Sequence, residues 1–148
     1  MKKSVTVLTA IVMLFVSTAF AAGEENVSPK VQAAFKNDFA SAQKVNWEKK
    51  SDFYFASFTL NNASIDAAYN EAGELVGTLR KIDVAQMPLG VSLELAKKYS
   101  DYTIPQQASE LSYDGQTSYY INVENDSHVI KLKCYTNGEI SVETKTKK

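Results

Sequence analysis

The chain has 148 residues, 16 basic against 17 acidic side chains, 45% hydrophobic residues and a single cysteine. A formal net charge of −1 gives no purchase on nucleic-acid phosphates or an anionic membrane surface, and one thiol excludes an internal disulfide. The length suits one compact unit, or two very small fused ones, held by packing alone.

The first element is a leader. Lys2 and Lys3, an apolar run from Val5 to about Val16, and small residues at Ala19 and Ala21 follow the order of a secretory signal. The run is short for a membrane span, so residues 1–21 are expected to be a cleaved signal peptide and the product periplasmic or secreted. What remains is 127 residues with 14 basic and 17 acidic side chains, a near-neutral surface.

Next, Ser28 and Pro29 form a helix start, the first as an N-cap and the second at the position where a missing N–H costs nothing. Val31, Phe35 and Phe39 then recur every four residues, which predicts one amphipathic helix. Four alternating, aromatic or β-branched runs follow, "KVNWEK", "DFYFASFTL", "ASIDAAYN" and "ELVGTLRKI". Ser51-Asp52, Asn61-Asn62 and Asn70 to Gly73 separate them, so they are expected to be strands joined by hairpins.

The pattern then restarts. Pro88 opens a second helix with a stripe at Val91, Leu95 and Tyr99, weakened in its first turn by Gly90. Strands are expected at roughly 109–113, 117–124, 128–136 and 139–145, divided by Asp114-Gly115, Asn125-Asp126 and Asn137-Gly138. The order is helix and four strands, twice.

Gly73 and Gly138 are 65 positions apart, and the same offset pairs Ala56 with Ile121, Phe58 with Val123, Ile65 with Ile130, Ala67 with Leu132, Tyr69 with Cys134 and Leu75 with Ile140. A slip of one residue would turn these side chains to the opposite face, so the offset conserves an inward face. The fold class is therefore α+β: a tandem duplication of an α-β-β-β-β unit, with an antiparallel sheet and helices packed on one face. Residues 22–86 form the first repeat and 87–148 the second. The helix stripes are 60 positions apart rather than 65, which assigns about five extra residues to the second half, at "DYTIPQQ". Val45, Trp47 and Leu79 join the expected covered face.

The opposite parity mixes aromatic and charged residues: Phe53, Phe55, Asp66, Val76, Arg80, Tyr120, Lys131, Lys133 and Tyr135. A merely solvated face would be polar along its length. Aromatic and Arg anchors among polar groups suit a recognition surface, although loops or the other half of the molecule could equally cover these rings. Phe53, Phe55, Asp66, Arg80, Tyr120, Lys131, Lys133 and Tyr135 are accordingly the candidate partner-binding residues.

Catalytic chemistry has no foothold in the pattern. His128, the one histidine, follows a turn, and Cys134 falls on the inward parity as a small buried hydrophobe. No ligand spacing for a metal, no phosphate-cradling glycine loop and no carboxylate pair stands out, so no enzyme activity, cofactor or metal is expected. The leading expectation is a non-enzymatic module that engages a protein or peptide of the cell envelope, without nucleic acid or stable membrane insertion, and with a homodimer open. The alternative is a small-ligand or envelope-stress sensor holding an apolar molecule between sheet and helices.

The run from Val45 to Pro88, with Trp47, the aromatic strand Tyr54 to Phe58, the Asn70 to Glu74 turn and the Pro-led helix, resembles the PepSY-like family, secreted proteins grouped with β-lactamase-inhibitor-like folds. The resemblance implies a tandem α-β4 architecture and export. It carries no catalytic motif and no inhibitor motif onto these residues, and Ser112 and Tyr113, near the Trp position of the second half, depart from it.

Overall fold

The computed structural model of the chain describes residues 26–148, so the leader expected over 1–21 lies outside the described residues. The elements are α1 (Pro29–Asp38), β1 (Gln43–Lys50), β2 (Phe53–Leu60), β3 (Ala63–Asn70), β4 (Leu75–Asp83), a 3-10 turn (Val84–Gln86), α2 (Leu89–Lys98), β5 (Gln107–Tyr113), β6 (Gln116–Glu124), β7 (His128–Tyr135) and β8 (Ile140–Lys147). The eight strands form an antiparallel sheet whose order follows the chain, β1 to β8. Chain contacts divide the protein into two compact units, up to Leu79 and from Arg80 onward, with the boundary inside β4.

In the first unit, the Val31 N–H donates to the Ser28 hydroxyl at 3.3 Å and Pro29 fills the first helical position. The stripe of α1 then docks on the sheet: Val31 and Phe35 are buried with Trp47, Tyr54, Ala56, Phe58, Ala67 and Tyr69. Phe35 is the hub of this core, edge-on to Trp47 and Phe58 at 5.1 Å each and to Tyr69 at 6.3 Å. Each such ring pair adds about 0.5–1.5 kcal/mol beyond the area it buries.

In the second unit, α2 presents Val91 and Leu95 to Ala108, Tyr119, Ile121, Val123, Ile130, Leu132 and Cys134, with Ile82 and Met87 beside them. Its entry is built differently. Pro88 offers no side-chain cap, but the 3-10 turn before it carries a reciprocal box: Ala85 N–H donates to Asp83 at 2.8 Å, and Asp83 N–H to Gln86 at 2.9 Å.

Of the inward pairs, Ala56, Ala67, Tyr69, Phe58, Ile121, Val123, Ile130, Leu132 and Cys134 are buried, and Ile65 packs half-buried against the first core. Two expectations fail. Leu75 is 43% exposed because it opens β4 next to the Asn70–Glu74 turn. Leu79 alternates against Ile82, which is in the core, so it faces the other side of β4.

The extra length of the second unit is also not where the sequence suggested. Trp47 pairs with Ala56 in the β1–β2 hairpin, and the β5–β6 register of Ser109 with Tyr120 carries Ala108 to the place opposite Ile121. Ala108, not Ser112 or Tyr113, therefore holds the position of Trp47, and most of the added residues lengthen the β5–β6 hairpin. A bridge between Thr103 and Glu124 repeats the Gln43–Thr59 pair, so part of the "DYTIPQQ" run takes the place of early β1.

Asn61-Asn62 and Asp114-Gly115 adopt the left-handed backbone of tight hairpin turns, with φ of 50° and 65°, and 49° and 69°. Asn137-Gly138 does not. Only Gly138 is left-handed, and Tyr135 N–H reaches the Glu139 carbonyl at 2.8 Å across a wider loop, as Asn70 N–H reaches Glu74 at 3.1 Å. In both wide loops the glycine lies against the first turn of its unit's helix. A Cβ on Gly73 would meet the Lys30 carbonyl at 3.2 Å, and one on Gly138 would meet Gly90 at 3.5 Å. Gly90, a weak helix former, is thus a point of close approach.

Candidate functional site: the sheet face away from the helices

Cross-strand partners share a face, so the register fixes what each unit presents on the side its helix leaves uncovered. In the first unit these are Glu48, Lys50, Phe53, Phe55, Ser57, Asp66, Ala68 and Asn70. Lys50 pairs with Glu48 at 3.0 Å and lies over the Phe55 ring at 5.8 Å. Asp66 accepts a hydrogen bond from the Ser57 hydroxyl directly across the ladder. Phe55 and Ala68 are buried, whereas Phe53 and Asp66 stay partly open.

In the second unit the same side carries Ser109, Leu111, Ser118, Tyr120, Lys131, Lys133, Tyr135 and Ser141. Lys131 and Lys133 both lie over the Tyr120 ring, at 5.5 and 5.9 Å, and Lys133 also over Tyr135 at 5.0 Å. Burial pushes the Tyr120 hydroxyl above the ordinary phenol range. Lys133 opposes this by its charge and a hydrogen bond, Glu143 reinforces it by its charge, and Ser118 opposes it with a hydrogen bond. Lys133 is only 8% exposed, yet neither it nor Lys131 forms an ion pair among the described residues. Attraction to ring faces holds both lysines, and Lys133 adds its hydrogen bond to Tyr120.

Seven of the eight candidate residues are therefore on the expected side, in two clusters: Phe53, Phe55 and Asp66 in one unit, Tyr120, Lys131, Lys133 and Tyr135 in the other. Arg80 is not. Its guanidinium donates to Glu110 at 2.6 Å, and Glu110 stands opposite Tyr119, on the helix side. Ile82, two residues on, is in the core, so alternation carries Arg80 to that same side. Its neighbour Lys81 is the basic residue of β4 that faces the uncovered side, where its ammonium donates to the Ser109 hydroxyl at 2.9 Å. The polar cross-strand positions Ser118 and Lys50 also escaped the sequence reading, since only register reveals which rings they touch.

The uncovered face is not bare. Phe55, Leu111, Tyr120 and Lys133 are buried within it, so the rings form a fixed floor and Phe53, Lys131 and Tyr135 are the partly accessible groups above it. An open depression of about 440 Å³ lies elsewhere, beside α1 and β1, lined by Phe35, Phe39, Val45 and Trp47 together with Lys36 and Gln32.

Groups capable of chemistry stand apart. Among the described residues no three His, Cys, Asp or Glu side chains gather as a metal would require. Burial pushes the Cys134 thiol up to about 11, which keeps it protonated and unreactive at neutral pH. His128 opens β7, half-buried, and its backbone N–H donates to Asn125 at 2.9 Å. Among the described residues, no helix is long and apolar enough to cross a membrane.

No known family description and no curated protein matches this sequence. Solved structures do match it. A DUF2874 family protein from Bacteroides uniformis superposes with a TM-score of 0.69 at 19% identity, over 82% of this chain and 89% of that one. A "putative periplasmic" protein from Bacteroides eggerthii gives 0.70 at 19% identity, over 87% and 90%. A BLIP-like protein from Bacteroides fragilis gives 0.66 at 17% identity, over 81% and 85%. The fold is BLIP-like. At these identities the likeness concerns the fold alone.

Proposed function

We propose that this chain is an exported, non-enzymatic binding module of the PepSY-like group, built by duplication of an α-β-β-β-β unit, that engages a protein or peptide through the uncovered sheet face. The observation that carries this reading is the composition of that face: fixed aromatic rings beneath partly accessible charged and aromatic groups, the make-up of interface anchors. The likeness to a "putative periplasmic" protein and to a BLIP-like protein supports an envelope location and a binding role. The offset of 65 shared by buried positions in both units supports duplication.

The test replaces Phe53, Phe55 and Tyr120 together by Ser and compares capture from an envelope extract with that by the unaltered chain. Loss of a discrete partner is expected. Unchanged capture by a variant that retains its fold would remove the face from consideration, and a second copy of the chain as the captured partner would make the contact a homodimer.

A second reading has its own support in the depression beside α1 and β1, whose rings suit a small apolar or aromatic molecule. It requires thermal stabilisation by such molecules and loss of that response in Phe39→Ser.

A further inference from the structure

Within the second unit, the arrangement of Lys131, Lys133, Tyr120 and Tyr135 goes beyond general stickiness, because two like charges meet there and neither is held in an ion pair among the described residues. Two ammonium groups flank one ring, Lys133 is almost fully buried, and neither lysine forms an ion pair among the described residues. Lys81 adds a third positive charge on the same side of β4. Two acids bear on this charge. Glu124, at the far end of β6, is held by Lys148 at 3.1 Å, and Glu143, the extra residue where the β7–β8 register shifts, acts on the Tyr120 hydroxyl.

Lys133 is held by the Tyr120 hydroxyl and two ring faces and by no anion among the described residues, so its charge remains available to an incoming carboxylate. A carboxylate delivered from outside would complement the charge of the two lysines. A small free acid would gain little from two lysines on an open pleated face, because exposed ion pairs in water are weak. A polypeptide laid over the face would exclude water around the pair and meet Tyr120 and Tyr135 with its own apolar side chains. Lysine, a point charge without the fork of arginine, accepts a carboxylate from many directions, which fits a strand or loop of variable approach.

We propose that the Lys131–Lys133–Tyr120–Tyr135 cluster receives an acidic segment of a partner protein, an Asp or Glu side chain seated between the two lysines with a flanking apolar residue on the tyrosine rings. The inference rests on the binding reading above and specifies its partner's chemistry.

The experiment titrates the isotope-labelled chain with a capped peptide, Glu-Glu-Phe-Glu-Glu, and with its counterpart in which every Glu is Gln, following backbone amide shifts. Shifts confined to β6 and β7 around Tyr120, Lys131, Lys133 and Tyr135 are expected for the acidic peptide. Its affinity should fall several-fold between low and physiological salt, and the Gln peptide should bind at least tenfold more weakly. Lys131→Gln, at a half-buried position, should lose most of the affinity without unfolding, and Lys133→Arg should keep it. Equal binding of the two peptides, shifts centred outside the cluster, or the same shifts from inorganic phosphate at equal ionic strength would overturn the inference. If the peptide fails while the Ser variants at Phe53, Phe55 and Tyr120 still lose their captured partner, the acidic segment is wrong and the face remains. If those Ser variants capture normally, the face itself is wrong.

Discussion

The two units reach one order of elements through opposite choices of side-chain volume. In the first, a large residue on β1 stands over small ones: Trp47 faces Ala56, with Ala67 next along the sheet, and Phe35 fills the centre. In the second the large and small positions are exchanged, since Ala108 takes the place of Trp47 while Ile121 and Leu132 replace the two alanines, and Leu95 comes down from α2. Inward apolar character is preserved between the units, and the bulk at each position is not. The difference teaches that the alternation pattern sets the face, while packing density sets which side chain carries the bulk.

The largest expected effect breaks that complementarity. Trp47→Ala should cost about 3–5 kcal/mol in urea unfolding, because nothing nearby can refill the void. Adding Ala56→Ile and Ala67→Leu, the solution used by the second unit, should recover part of the loss, whereas the same pair alone should destabilise by about 1–3 kcal/mol through overpacking.

The wide turns give a smaller contrast. Gly73→Ala and Gly138→Ala both force a Cβ into left-handed backbone, at φ of 78° and 91°, for about 1–2 kcal/mol each. Gly73→Ala should be the worse of the two in thermal melts, since its Cβ would press on the Lys30 backbone, while Gly138 faces only Gly90.

Tyr69 separates the units by pH. Its hydroxyl donates to Asp38 at 2.8 Å, and burial, with that hydrogen bond and the Asp38 charge, pushes its pKa well above the ordinary phenol range, whereas the matching position in the second unit is Cys134. The unfolded chain releases the Tyr69 proton first, so this contribution is complete below about pH 10 and declines as pH rises beyond it, by up to about 1.4 kcal/mol per pH unit. The stability gap between the unaltered chain and Tyr69→Phe should therefore shrink above pH 10 in denaturant titrations. A gap that stays constant to pH 11 would contradict the buried hydroxyl.

Arg80→Ala should matter least. Its pair with Glu110 is half exposed, so a change of at most about 1 kcal/mol is expected, smaller still in high salt. Because Arg80 faces the helix side, its removal should leave partner capture unchanged.

What could be read in the sequence were periods and turns. The helix stripes at Val31-Phe35 and Val91-Leu95, the inward pairs Ala67-Leu132 and Tyr69-Cys134, and the Asn61-Asn62 turn follow from spacing and backbone preference, which are local properties. Arg80, Leu79 and Ala108 could not be read so. Their faces depend on pairing with β5 or on where β5 starts, and alternation counted from the beginning of β4 gives the opposite parity to the one Ile82 enforces. The candidate site was legible as a list of residues on one parity. The Lys–Tyr stacking was not, because cross-strand neighbours such as Tyr120 and Lys133 become adjacent only through register.

The most direct test of the docking face is a hydrogen-exchange and side-chain footprint of the chain with its captured partner bound. Protection should fall on β2, β3, β6 and β7, with Phe53, Lys131 and Tyr135 shielded and the outer surfaces of α1 and α2 as open as in the free chain. Shielding of Leu89 and Leu93 on α2, with Lys131 and Tyr135 unchanged, would contradict it.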